Sequence, residues 1–549
     1  MKRKLTGIFV ALACFLGLAF SIARIDNKLH IARSINVFAE LLRTLDELYV
    51  DSLDINKMSK TAFSAMLKEV DPYTEYYSEE ELQRADLITK GEYAGIGALL
   101  YERDGKIIVR KIYEGSPSDK AGLEVADEIL ALDGNAVNGW GMKKVLDYLK
   151  GQPGQSISLT FIRSGQKEPV EKTFDRELIK LPIIPYYGMR TNKTGYICLS
   201  SFSSGNTASE FKAALEELLQ EKAESLIIDL RNNGGGRMEE AIKICSYFLP
   251  RNSLVLTMKG KKPEYRQSYS TMSDPIVPAS MPVAVLVNRG TASASEILSG
   301  ALQDYDRAVI VGERSFGKGL VQTLVDMPYR GKLKYTNAKY YIPSGRCVQA
   351  ITYNHSDSQL KTSTVPDSLL KPFKTISGRI VYEGSGIMPD KEVKSKIVVP
   401  ESFTEMEKKD MFFDFVTRYK VEHGSIAPAD EFKVTDAMIR AFTAYLKFRN
   451  FSCENKSQKA LEDLMAQARK DGVYSKNKAY FTQLEAGLKV NLDSEINKNI
   501  KLLKNRLSYE FLSRYYDSYT VLKYQLDDDI CLNQAIEAIA SPGAPLQAK

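Results

Sequence analysis

The stretch from residue 283 to residue 323 constrains this chain more than any other. An apolar run, Val283 to Val287, enters a polar turn, and a helix-like run of small residues follows from Ser293. The same order occurs upstream, where SLIIDL (225–230) leads to Gly234, Gly235 and Gly236 and then to a helix-like run. RAVIVG (307–312) supplies a third strand-like run with a turn after it. Strands alternating with helices in this way imply an α/β sheet whose turns at the strand ends are free to carry chemistry.

Those turns hold a specific set of side chains. Ser293 opens the helix-like run, and Lys318 stands between Gly317 and Gly319 with Gln322 four residues on. The chain has three histidines and none lies in this stretch, so a hydroxyl nucleophile here needs another base. Lysine serves only when neutral, which requires apolar surroundings such as the AVIVGE, Leu320 and Val321 that flank Lys318. If residues 319–326 form a strand, Lys318 and Gln322 project from one face, and the amide can hold the amine without adding charge. A serine at a helix N-terminus gains the positive end of the dipole, and the N–H of Ala294 is then placed to meet an oxyanion. The glycine turn at 234–236 offers a second N–H. Each piece alone also has a plain structural reading: a tightly packed small-residue helix, an exposed Gly-Lys-Gly turn, a phosphate loop. No Walker or GxGxxG pattern supports the last. Taken together and in this order, the pieces favour acyl transfer.

The sequence resembles the carboxyl-terminal processing proteases, the tail-specific serine peptidases of family S41 with a Ser-Lys dyad. The resemblance is carried by TASASE (291–296), FGKG (316–319), LRNNGGG (230–236), DPYTEYYS (71–78), GYICLSSFS (195–203), YYIPSGR (340–346) and GSGIMPD (384–390), in the family's order. It spans residues 30 to about 395 and implies Ser293 as nucleophile, Lys318 as general base and Gln322 as its partner. Ala294 and Gly234 or Gly235 are implied as the oxyanion hole. A second module, residues 91–165, looks like a PDZ domain: GIGALL (95–100) as carboxylate-binding loop and strand, GSPSDKAGLEVADEILALDGNAV (115–137) as its middle, MKKVLDYLKG (142–151) as its second helix. Such domains add a substrate's extended C-terminal tail as a strand and hold its carboxylate on loop N–H groups, here those of Gly95, Ile96 and Gly97. Ala126 departs from the pattern, standing where glycine is usual.

A chain of 549 residues is too long for a single core. The expected organisation is a signal peptide or membrane anchor (1–23), an N-terminal helical region (24–90), the PDZ domain (91–165), the protease core (166–398) and a C-terminal helical domain (399–549). MKRK followed by an apolar run to Ala23 reads as an export signal cleaved after Ala23, with a single-span anchor as the alternative and lipidation at Cys14 last. Either of the first two places the body in the periplasm or cell envelope of a bacterium. The family further implies homodimer formation through the N-terminal helices. A net charge of +6 is spread along the chain and argues against nucleic acid as partner. No CxxC or histidine pairing suggests a metal, no cofactor is implied, and the cysteines look like core residues. His355, in an extra segment between Ile351 and Gly384, is the best imidazole competitor, although its polar neighbours favour an exposed loop. Residues beyond about 400 lie outside the resemblance and read as amphipathic helices.

The fold class expected is therefore α/β multidomain: N-terminal helices, an inserted PDZ domain, an α/β serine-protease core and C-terminal helices. The function expected is an exported endopeptidase acting on proteins or peptides with free C-termini. The alternative is a catalytically silent, PDZ-bearing envelope scaffold.

Overall fold

The computed structural model describes residues 28–79, 81–82, 92–353, 362–364, 367–394, 399–452, 456–488 and 491–540. The expected export segment, His355, Cys14 and Cys453 lie outside the described residues. Among the described residues no helix is long and apolar enough to cross a membrane.

The chain forms two compact units, the smaller drawn from residues up to 78 and from 322–336. In the smaller unit, residues 28–48 are helical and leave Ile31, Ile35, Val37 and Leu41 exposed. The helix Ile55–Lys68 follows, its first turn capped by Asp54, whose carboxylate accepts from Lys57 N–H. DPYT then closes a turn in which Asp71 Oδ1 accepts from the N–H groups of Tyr73 and Thr74, both at 2.8 Å. That turn delivers Glu75–Tyr77 as a strand antiparallel to Lys332–Lys334. Phe63 packs edge-on against Tyr76.

In the larger unit a six-stranded sheet carries the turns of interest. Its order is Tyr186–Arg190, Thr194–Cys198, Ser225–Asp229, Val283–Val287, Val309–Gly312 and Lys391–Glu392, with only the first pair antiparallel. Parallel strands need both faces covered, which explains why SLIID and VAVLV are buried at every position. Leu226, Ile228, Val283, Val285 and Ile310 face the helices Thr207–Gln220, Met238–Cys245 and Ala294–Asp304. The other face, with Tyr196, Ile227, Ala284, Leu286 and Val311, is covered by Leu532, Ala535, Ile536 and Ile539 of the chain's last helix, Ile530–Ala540. Each such side chain contributes about 1.5–3 kcal/mol on full burial. The helix Ile530–Ala540 is thus part of the protease core, whereas the C-terminal helices from Glu401 to about residue 521 pack around a core of their own.

The PDZ-like module is a separate sheet, Ala98–Arg103, Lys106–Ile112, Glu128–Leu132, Ser156–Ile162 and Val170–Asp175, closed over its core by the helix Gly141–Leu149. Ala126 adopts φ +78°, so alanine occupies the left-handed turn that glycine would fill without strain. The turn survives because Ala126 N–H donates to Val109 C=O and Asp127 returns a carboxylate oxygen to Glu124 N–H. The module docks on the helix Met411–Glu422. Arg103 bonds Asp410 and Asp414, Arg110 bonds Asp410, and Lys420 bonds Glu124, at 2.8–3.1 Å. Between them Phe413 takes Tyr101 edge-on, with the guanidinium of Arg110 4.4 Å from its ring centre. The extra segment after Ile351 contributes short antiparallel pairs, Ile351–Tyr353 with Thr362–Thr364 and Pro372–Lys374 with Ile380–Tyr382.

Two outcomes are expected. Ala126→Gly relieves a positive-φ alanine and raises stability by about 1 kcal/mol, read as an upward shift of Tm. Asp410→Ala leaves two arginines short of their shared acceptor and weakens the docking by about 1–3 kcal/mol, read as faster proteolysis at the module's edges.

Candidate active site

The strand Val283–Val287 ends in a turn fastened by side chains. Asn288 N–H donates to Thr291 Oγ1, and that hydroxyl donates to Leu230 C=O at 2.8 Å. Ala292 N–H reaches Asn233 C=O at 3.0 Å. The chain thereby enters the helix Ala294–Asp304 with Ser293 at φ 57°, ψ −117°. A non-glycine residue is rarely held there, and a strained serine at a strand-to-helix turn is how a hydroxyl is presented for attack. Both ends of Ser293 are pinned. Its N–H donates to Glu296 Oε2 at 2.9 Å, and its C=O accepts from Glu296 N–H and Ile297 N–H.

Glu296 organises the site. It is fully buried, and Oε1 accepts from Ser315 Oγ (2.5 Å) and Gly317 N–H (2.7 Å). Its Oε2 accepts from Lys318 N–H (2.8 Å) as well as from Ser293 N–H. Burial pushes its pKa up, and the bonds from Ser315, Lys318, Ser293 and Gly317 pull the other way. On balance burial wins and holds the Glu296 carboxyl above the usual carboxylate range. Ser315 Oγ also accepts from Ile387 N–H, which ties this carboxyl group to a second loop. A second clamp is Tyr340, whose hydroxyl donates to Lys318 C=O (2.6 Å) and lies 3.2 Å from Ser293 C=O. The backbones of Ser293 and Lys318 are therefore held by the same carboxylate oxygen and the same phenol.

Lys318 itself is half-buried and lies in a loop, since the strand begins only at Leu320. The expected strand over 319–326 is present and starts one residue later, at Leu320. Glu296 and Gln349 take the N–H groups of Lys318 and Gly319 and keep both out of a ladder. Gln322 belongs to the smaller unit, where its amide donates to Thr336 Oγ1 at 3.2 Å.

The glycine turn meets the serine closely. A Cβ on Gly235 would fall 2.8 Å from Ser293 Cβ and from Ala294 N, so only glycine fits. Gly235 N–H, however, donates to Asn233 Oδ1 at 2.9 Å. Gly235 thus supplies the close approach, with its own N–H taken by Asn233. Buried Asn233 also donates to Leu199 C=O, and its own C=O accepts from Ser295 Oγ. Glu296, Asn233 and Tyr340 were not singled out from sequence. For Glu296 a signal existed, the S-x-x-E spacing of a helix capping box at Ser293–Glu296.

The remaining expectations sort simply. Burial raises the thiol of Cys198 to about 12 and that of Cys531 to about 11, so neither is a thiolate near neutral pH. In the PDZ-like module Gly95 pairs with Glu177 in a two-stranded ladder. Ile96 is buried, and Gly97, at φ +78°, leaves no room for a Cβ against Ser116. Leu99 and Leu146, on the first strand and the helix, are exposed.

Comparison with known proteins agrees with this geometry. Residues 193–355 match peptidase family S41, residues 108–163 a PDZ domain, and residues 403–539 the C-terminal helical domain of probable PDZ-proteases. The last match corrects the expectation that the region beyond residue 400 falls outside the resemblance. A carboxy-terminal-processing protease of Bartonella bacilliformis is 32% identical over 349 residues, covering 63% of this chain and 79% of that protein. A probable CtpA-like serine protease of Staphylococcus aureus is 32% identical over 318 residues, 57% of this chain and 62% of that one. Among solved structures, a photosystem II D1 C-terminal processing protease aligns at 26% identity with a TM-score of 0.36, covering 66% of this chain and 92% of that one. The chain belongs to the carboxy-terminal-processing proteases, serine-type peptidases of family S41 with a PDZ domain.

Proposed function

We propose that this chain is an exported endopeptidase that draws in the C-terminal tails of proteins or peptides and cleaves them by a Ser-Lys mechanism. The observation that carries the reading is the strained Ser293, held with the Lys318 backbone on one oxygen of Glu296. Neutral Lys318 takes the Ser293 proton as the hydroxyl attacks the scissile carbonyl, and delivers it to the leaving amine. Ala294 N–H and Gly234 N–H receive the oxyanion at the start of the helix. Water then hydrolyses the acyl-enzyme by the same proton route. The tail adds as a strand beside Ala98–Arg103, its carboxylate on the loop of Gly95, Ile96 and Gly97 and its apolar side chain between Leu99 and Leu146. Export rests on the basic and apolar start of the sequence.

The test uses protein beginning at Arg24 with an unfolded substrate ending in an apolar free carboxylate, and the same substrate amidated. Cleavage is expected to vanish in Ser293→Ala and Lys318→Ala and to weaken on amidation; products from Ser293→Ala would sink the assignment. Activity should also rise with pH, because only the neutral amine accepts the proton. A profile abolished by His355→Ala instead points to imidazole. Glu296→Gln should lower kcat by about two orders of magnitude, since an amide NH2 would face backbone N–H donors. Mass spectrometry of products and a thermal melt separate that loss from unfolding.

A further inference from the structure

The C-terminal helices reach the catalytic turn through one side chain. Asp529 stands just before the last helix, where its Oδ1 accepts from Leu532 N–H at 3.0 Å. Its Oδ2 lies 2.6 Å from Nη2 of Arg231. Arg231 follows the strand Ser225–Asp229 by two residues and also clasps Asp229, through Nε at 3.0 Å and Nη2 at 2.6 Å. Asp229 in turn accepts from the Tyr196 hydroxyl and from Arg231 N–H. Immediately after Arg231 come Asn232, tied to Asn288, then Asn233 and the glycine turn in which Gly235 presses against Ser293.

Two features say that this contact does more than glue the helix down. First, adhesion is already supplied by Leu526, Leu532, Ala535, Ile536 and Ile539 on the apolar sheet face, and apolar contact has no direction. Second, two carboxylates share one guanidinium, all three less than a quarter exposed. That charge balance is a poor way to maximise stability. It is a good way to fix an orientation, because Asp229 holds Arg231 only within its own segment, and a carboxylate from a different element adds a second, independent anchor.

We propose that Asp529 is a positioning residue for peptide hydrolysis. By holding Arg231 it sets the turn of residues 232–236 against Ser293. The proposal rests on the reading of Ser293 as nucleophile.

The experiment compares full-length Asp529→Asn, Asp529→Glu and Leu532→Ala with the parent enzyme. Leu532 is buried in the same helix but makes no polar contact with Arg231, so it reports stability alone. Asp529→Asn is expected to lower kcat about tenfold at unchanged KM, and Asp529→Glu to recover part of the loss. Leu532→Ala should lower Tm further while keeping kcat within twofold. Amide hydrogen exchange across 231–236 should quicken in Asp529→Asn and not in Leu532→Ala. An unchanged kcat in Asp529→Asn overturns the proposal, as does an equal loss in Leu532→Ala. Cleavage that persists in Ser293→Ala would overturn the nucleophile instead, and the exchange comparison still decides on Asp529.

Discussion

One buried carboxylate carries the arrangement on which everything else depends. Glu296 is sealed from water, and a charge there is costly unless every lone pair finds a donor. The donors it finds are the backbones at Ser293, Gly317 and Lys318 and the hydroxyl of Ser315. A strained serine and a distant lysine loop are thereby registered by one rigid group. The energy that holds Ser293 at positive φ is drawn from that satisfied carboxylate and from the helix behind it, whose residues 294–304 are all buried.

The sheet beneath is a second constraint. Its parallel strands are apolar on both sides, and the chain resolves this with two different sets of helices. Helices within the protease segment cover one face, and a helix from the far end of the chain covers the other. The same C-terminal region grips the PDZ-like module through Asp410, Phe413 and Asp414. The C-terminal region therefore touches both the PDZ-like module and the back of the sheet that carries Ser293.

Much of this was legible in the sequence, for physical reasons. SLIIDL and VAVLV announce buried strands by their unbroken apolar runs, and TASASE and FGKG carry residue types that make sense only beside each other. What escaped was long-range pairing. Nothing local to Glu296 says that a loop more than a helix away brings it three donors, although its capping-box spacing hinted at the fourth. The Gly235 N–H looked free because the Asn233 side chain that takes it has no local signature. The last helix read correctly as amphipathic, but its target lies on strands far upstream, and periodicity says which face is apolar without saying what that face meets. The alanine at 126 shows the reverse: an apparent mismatch in sequence that the backbone absorbs at φ +78°.

The covering of the sheet by residues 530–540 has a consequence for how the enzyme comes into being. A chain that emerges from its N-terminus presents Ser293, Lys318 and the strands between them well before the helix that shields Ile227, Ala284, Leu286 and Val311. Contacts so distant in sequence form late, because the intervening loop must close first. Until then the sheet has one wet apolar face and the Arg231 turn lacks its outer carboxylate. Closing that face therefore waits on residues far downstream of the strands they cover.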